Sequence, residues 1–266
     1  SDYYEMGLAE ALQTSVSTDG TKKYLYSVLN GKFIETAFIP EKDRATICVS
    51  SQAGCKMGCV FCMTGKQGFQ GNLSSNEILN QFRSLPEYGQ ITNMVYMGMG
   101  EPLDNLNEVL KSLDILSSDW GYGWSPSRIT VSTVGILNRL NEFLEKSRCH
   151  LAVSLHSPFD EERRKLMPIQ RTNTVEEVLN IIRNFDFNKQ RRVSFEYILF
   201  KGINDTPRHI KELARILNGI RCRINIIRFH PVPGSEFSSP GENETEAFRD
   251  ALNAKGIITT IRASRG

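Results

Sequence analysis

Residues 54–62 read GCKMGCVFC, which sets Cys55, Cys59 and Cys62 in the spacing Cys-x-x-x-Cys-x-x-Cys. Three thiolates this close can hold three corners of an iron–sulfur cube and leave the fourth iron without a protein ligand. An iron with an open position can bind and activate a small molecule instead of only passing electrons. Gly54 and Gly58 allow the backbone to turn tightly around a metal centre, and Phe61 supplies an apolar wall beside the last thiol. Zinc is a competing occupant, but structural zinc usually takes four ligands in two pairs, and the nearest histidine is far away at His150. Disulfide pairing also competes. The odd-numbered cluster and the start SDYYEMGLAE, which has no apolar signal core, argue against it.

Outward from this loop, strands and helices alternate. Strand patterns fall at 46–50, 91–96, 128–132, 151–155, 193–199 and 224–229, with a last one at 257–261. Helical patterns lie between them, for example at 75–84, 106–116, 175–184, 207–217 and 244–253. Repeated β–α units build a parallel sheet with right-handed crossovers. Six such units fit either a partial barrel or an open doubly wound sheet. Before them, residues 22–39 read as a β-hairpin turning at Asn30-Gly31, a dipeptide preferred in type I′ turns. The expected division is an N-terminal extension with hairpin over 1–40 and a core over 41–266.

In a parallel barrel, sites gather at the carboxyl ends of strands. The cysteine loop follows the first strand and Gly98–Glu101 the second. Ser132 ends the third, Ser154 to His156 the fourth and His230 the sixth. Residues scattered from 55 to 230 therefore converge on one mouth.

Composition narrows the class. The chain has 266 residues with 40% hydrophobic content, enough for a buried core. Its net charge of +2 announces no strong field for nucleic acid, so an RNA would be held by local basic patches. No apolar run reaches the roughly 18 residues a membrane helix needs. Six cysteines, several unsuited to pairing, fit a reducing cytoplasm. Cys149 and Cys222, at strand starts, read as core-packing residues.

Five runs carry a resemblance: RATICVSSQAGC at 44–55, GCVFCMTGKQGFQGNL at 58–73, MGMGEPLDN at 97–105, TVSTVG at 130–135 and AVSLHSP at 152–158. Their content and order resemble the radical S-adenosylmethionine (radical SAM) superfamily, and within it the adenine-C2 RNA methyltransferases of the RlmN/Cfr type. The likeness runs from about Tyr24 to Gly266. The proline in GMGEP is similar to the housekeeping branch acting on 23S rRNA and tRNA. The resemblance implies an α/β fold, a partial (β/α)6 TIM-like radical SAM barrel with an N-terminal β-hairpin. It implies a [4Fe-4S] cluster on Cys55, Cys59 and Cys62, whose open iron holds S-adenosyl-L-methionine. Reductive cleavage of that cofactor gives a 5′-deoxyadenosyl radical, and a methylcysteine delivers the carbon to adenosine C2.

Roles follow by position. Gly100, Glu101, Pro102, Ser132, Ser154, Leu155, His156 and His230 are implied to contact the cofactor. His230 stands where the family more often has Asn; imidazole can replace an amide as donor or acceptor. Glu35 matches the proton acceptor for adenine C2, a task that a raised pKa would favour. Cys48 matches a cysteine that attacks the covalent enzyme–RNA thioether and releases product as a disulfide bond. Read alone, Glu35 is an exposed strand carboxylate and Cys48 a small buried hydrophobe. The methyl-carrying cysteine sits in a CGQL-like segment that would follow Gly266, and the family's N-terminal accessory domain is expected to be missing. A chain so truncated would bind cluster and cofactor without completing methyl transfer.

The implied partners are 23S rRNA and tRNA, with the target adenosine extruded, and an electron donor such as flavodoxin; a monomer is expected. Candidate phosphate contacts are Lys56, Lys66, Arg163, Arg164, Lys165 and Arg171, which a solvated charged face explains equally well. The rival readings are another radical SAM reaction and a zinc-stabilised RNA-binding module.

Overall fold

The computed structural model describes residues 8–28, 31–187, 193–231 and 234–263. The strands are β1 Gln13–Val16, β2 Lys22–Val28, β3 Lys32–Pro40, β4 Ala45–Cys48, β5 Gln52–Gly54, β6 Phe69–Asn72, β7 Asn93–Tyr96, β8 Ile129–Thr133, β9 His150–Ser154, β10 Val193–Leu199, β11 Cys222–Arg228 and β12 Ile258–Ile261. The helices are α1 Met63–Gln67, α2 Ser75–Arg83, α3 Leu106–Ser117, α4 Leu137–Lys146, α5 Asp160–Leu166, α6 Val175–Asn184, α7 Pro207–Ile216 and α8 Glu242–Ala254.

Among the described residues, ten strands form one sheet in the order β1-β2-β3-β4-β7-β8-β9-β10-β11-β12. From β4 to β12 every neighbouring pair is parallel. Six β–α units and a closing strand thus form the expected partial barrel, the sheet curling around a cavity of about 660 Å³. The hairpin β2–β3 pairs Lys22 with Phe38 through Val28 with Lys32; its turn residue Asn30 lies outside the described residues. The hairpin is continuous with the barrel, because β3 pairs antiparallel with β4 and sets Ala37 opposite Cys48. Two further pieces escaped the sequence reading. β1 adds an exposed strand to the hairpin edge, and β5 with β6 forms a small antiparallel clasp around the cysteine loop.

Residue alternation explains how the sheet curls without a fully apolar interior. Met94, Tyr96, Ile129, Val131, Leu151, Val153, Phe195, Tyr197, Ile224 and Ile226 are buried in the main core. The intervening Asn93, Thr130, His150, Ser194 and Asn225 line the cavity. Side chains alternate faces along a strand, so one face packs under helices and the other makes a polar lumen. Local signals start the helices. Ser74 with Glu77 and Thr174 with Glu177 form reciprocal capping boxes for α2 and α6. Pro207 opens α7, where its missing N–H costs nothing.

Candidate active site

The clasp fixes the cysteine loop from both ends. Cys55 N donates to Gly68 O at 3.1 Å, and Val60 N donates to Leu166 O at 3.1 Å, tying the loop to the end of α5. Gly54 has φ +71°, and a Cβ there would lie 1.8 Å from Gly68 O. No other residue fits that approach. Cys62 caps α1. Burial pushes the Cys55 thiol up to about 11, and the neighbouring Cys62 adds to it. Burial pushes Cys59 up to about 12, with Cys62 and Cys55 raising it further. Cys55 and Cys59 therefore hold their protons tightly until a metal displaces them.

Among the described residues, no group of three or more His, Cys, Asp or Glu is placed to hold a metal ion. A single zinc needs sulfurs converging at about 2.3 Å from one point, whereas a cube spreads its thiolates over separate iron corners. Three mutually interacting thiols on one loop fit the cube. Phe61 packs edge-on against His156 at 4.9 Å and against Phe200 at 5.7 Å, walling the loop as expected.

The Gly98–Glu101 turn is zipped to the segment after β4. Gly98 N donates to Val49 O, and Ser51 N and Gln52 N donate to Met99 O. Ser50 Oγ accepts from Met99 N at 2.9 Å, and Gln52 Oε1 accepts from Glu101 N at 2.9 Å. Gly100, at φ +99°, lies against Gln52. Pro102 begins a buried 3-10 turn. The Glu101 carboxylate is buried and already engaged, accepting from Leu103 N at 3.0 Å, Thr133 Oγ1 at 2.6 Å and Val134 N at 2.9 Å. It locks the end of β7 to the end of β8 and has little capacity left for a ligand. Burial raises its pKa to about 7 against these hydrogen bonds.

The end of β9 is similarly committed. Ser132 and Ser154 are half-buried at their strand ends. Leu155 N donates to Glu196 O at 3.0 Å and Leu155 O accepts from Arg163 Nε at 3.1 Å, so both its backbone groups have protein partners. His156 holds a left-handed backbone at φ 56°, and its Nδ1 accepts from Ile198 N at 3.0 Å. Burial drives its pKa down to about 3, so the ring is neutral. Asn204 fixes the same corner, donating to His156 O and Ile198 O while accepting from Phe200 N.

Arg163 corrects the sequence reading. It is fully buried, with Nη2 donating to Val134 O and Ser154 O and Nη1 to Gln170 Oε1. Its donors are spent on the protein, so it is no phosphate contact. Lys56 pairs with Asp104 at 2.9 Å and lies over the Phe69 ring, while Lys66, Arg164, Lys165 and Arg171 are exposed. Gln52, Gln81 and Asn204 are organising residues that the sequence reading missed, and Arg163 is one that it misassigned. Gln81 braces β3 to the end of β4, accepting from Thr36 Oγ1 and Ser50 N and donating to Ser50 O.

Cys48 ends β4 and Glu35 lies on the same pleat face of β3, two residues from Cys48's partner Ala37. Glu35 is exposed, and its carbonyl accepts from Ser50 Oγ at 2.6 Å. Burial lifts the Cys48 thiol to about 11, opposed by the Met97 backbone and the Arg262 charge. All six cysteines are free thiols, and nothing in the structure supports a disulfide at Cys48. Cys149 is buried, as expected, and Cys222 half-buried. His230 is exposed and lines the upper lumen, whose lower walls carry Arg44, Arg128 and Arg223. Val232 and Pro233 of the RFHPVPG segment lie outside the described residues.

A curled parallel sheet with three cysteines on the loop beyond its first strand defines a partial barrel with a thiol-rich mouth. Residues 49–217 match the family described as the Radical SAM superfamily. The chain is 58% identical over 265 residues to a probable dual-specificity RNA methyltransferase RlmN of Porphyromonas gingivalis, covering 100% of this chain and 77% of that one. A protein of the same description from Bacteroides fragilis is 55% identical over 263 residues, covering 99% and 76%. The crystal structure of a radical SAM methyltransferase from Sphaerobacter thermophilus superposes with a TM-score of 0.91 at 37% identity, covering 97% of this chain and 78% of that one. The chain belongs to the radical SAM superfamily and, within it, to the RlmN family.

Proposed function

We propose that this chain is the catalytic core of an RNA methyltransferase that methylates C2 of adenosine in 23S rRNA and tRNA. The observation that carries the proposal is the convergence of the three-thiol loop, the Gly98–Glu101 turn and Cys48 on one barrel mouth. The relatives described as dual-specificity RNA methyltransferases support the substrate class. Residues 41–266 form the core, with 1–40 as its extension.

Cys55, Cys59 and Cys62 would hold the [4Fe-4S] cluster. Gly100, Ser132, Ser154, His156 and His230 would surround S-adenosyl-L-methionine, with Glu101, Pro102 and Leu155 shaping the wall behind them. When bound, the cluster supplies the electron that cleaves the sulfonium. The protein's own residues do the rest. The Phe61, Phe200 and His156 rings keep water from one side of the loop. Neutral His156 presents no charge there. Glu35, at the exposed rim, would take the proton from adenine C2, and Cys48 would attack the sulfur of the enzyme–RNA thioether, forming a disulfide with the methyl-carrying cysteine as the C–S bond breaks and the methylated RNA leaves. Electrons would come from a small carrier such as a flavodoxin, and the protein would act as a cytoplasmic monomer. Among the described residues, no helix is long and apolar enough to cross a membrane.

The test is anaerobic incubation of the intact enzyme with S-adenosyl-L-methionine, a reductant and rRNA or tRNA fragments. Brown, iron- and sulfide-containing protein and 2-methyladenosine in the digested RNA are expected. Colourless zinc protein, or iron protein that leaves adenosine unmodified, would refute the proposal.

A further inference from the structure

The cysteine loop has an outer face that takes no part in the lumen. Val60, Met63 and Phe69 on it are 36%, 43% and 40% exposed. Val60 and Met63 flank Cys62, which caps α1. α1 lies back on the loop, since a Cβ on Gly65 would meet Cys59 N and O at 3.2 Å. Phe69 joins this face beside Gly68, whose carbonyl accepts from Cys55 N, and Lys56 Nζ stands 4.3 Å from its ring centroid. The end of α5 borders the same face. Val60 N donates to Leu166 O, and Leu166 and Met167 share one apolar cluster with Cys59. Charge is segregated here. Residues 55–74 and 163–175 contain Lys56, Lys66, Arg163, Arg164, Lys165 and Arg171 and not one Asp or Glu, in a chain whose net charge is only +2. α5 keeps Asp160, Glu161 and Glu162 in its first turn and its basic residues in its last. Arg163 is buried and Lys56 is paired with Asp104. Lys66, Arg164, Lys165 and Arg171 are exposed and have no ion-pair partner among the described residues.

We propose that this face docks an acidic one-electron carrier protein, with Val60, Met63 and Phe69 at the centre of the contact and Lys66, Arg164, Lys165 and Arg171 as its steering rim. The proposal rests on the reading that Cys55, Cys59 and Cys62 hold the cluster. Electron transfer weakens steeply with distance, so a carrier must seat close to its acceptor. This face is the outer surface of the ligand loop itself. An apolar centre inside a polar rim is the anatomy of a protein–protein contact. Unpaired cations with no acid between them select an acidic partner and speed its encounter. RNA is the competing polyanion. Its adenosine has to reach the lumen mouth, and no residue of this face lines the lumen. Aliphatic Val60 and Met63 also give bases no ring to stack on. On docking, one electron leaves the carrier and one arrives at the cluster, and no bond is made or broken at the contact.

The experiment mixes the cluster-loaded enzyme, without air, with an excess of reduced bacterial flavodoxin, a small acidic flavin protein, as the probe. Stopped-flow absorbance follows bleaching of the cluster across a salt series. A small photoreduced deazaflavin, which needs no docking surface, is the control reductant, and filter binding measures tRNA affinity. The triple variant Lys66→Glu, Lys165→Glu, Arg171→Glu should slow reduction by flavodoxin about tenfold or more at low salt and remove most of its salt dependence. Reduction by deazaflavin and tRNA affinity should stay unchanged. Met63→Gln should slow reduction by flavodoxin while keeping the salt dependence, because it removes apolar contact and no charge. Should the charge reversal cost iron, Gln at the same three positions repeats the test with a smaller effect in the same direction. Equal flavodoxin rates and salt dependence in wild type and the triple variant would overturn the proposal. Loss of tRNA affinity with the flavodoxin rate intact would assign the face to RNA and overturn it too. Protein that binds no iron would defeat the cluster reading, a separate failure from iron protein whose reduction ignores these residues.

Discussion

Replacing Arg163 by Met tests whether the barrel mouth is built from inside. The side chain is 0% exposed. It donates to the carbonyls of Leu155, Val134 and Ser154 and to Gln170 Oε1. Methionine fills similar space and donates to none of them. Each orphaned acceptor costs about 1–3 kcal/mol if fully buried. Relaxation and recovered desolvation of the guanidinium offset part of the sum, and breaking a buried charged network typically costs about 3–5 kcal/mol. For 266 residues at about 2.1 cal/mol/K each, a loss of about 4 kcal/mol lowers Tm by about 7 °C. The assay is urea unfolding of the intact protein followed by circular dichroism, with a thermal scan alongside. Iron retention supplies a second readout, because Leu166 O at the end of the same helix holds Val60 N of the cysteine loop. Arg163→Lys should recover little, since an ammonium cannot span acceptors on three loops. A Met variant within about 1 kcal/mol of wild type, with full iron content, would refute the reasoning, since that is the scale of an average point substitution.

Gly54→Ala should abolish iron retention, because its Cβ would lie 1.8 Å from Gly68 O at a backbone φ of +71°; iron and sulfide analysis after anaerobic reconstitution checks it. Asn204→Ala should destabilise by about 2–3 kcal/mol by orphaning buried partners at His156, Ile198 and Phe200, measured by urea unfolding. Glu101 supplies a pH test. Its folded pKa of about 7 lies above the ordinary 4.5, so the folded state binds the extra proton between those values. Stability contributed by this group is then full below pH 4.5 and is lost as pH rises to about 7, a swing of about 3 kcal/mol. Glu101→Gln should flatten that slope in iron-free protein, and an unchanged slope would assign it to another group. Cys48→Ala should keep iron content while ending 2-methyladenosine formation, separating cluster binding from product release.

Much of the molecule was legible in its order of residues. The spacing of Cys55, Cys59 and Cys62 dictated the donor set, since three thiols within eight positions must share one loop. Period-two alternation and capping pairs such as Ser74 with Glu77 marked strands and helix starts, because those signals act between near neighbours. Tertiary structure decided everything that depends on burial and on partners far along the chain. In DEERRKL, Arg163 is indistinguishable from its exposed neighbours until α5 docks and takes its guanidinium out of water. Glu101 looks free to greet a ligand until Thr133 and Val134, more than thirty residues away, surround it. Arg262 meets Met97 across 165 positions. Local sequence sets what a residue can do; the fold alone sets which groups it faces and how much water it keeps, and these decide its charge and its work.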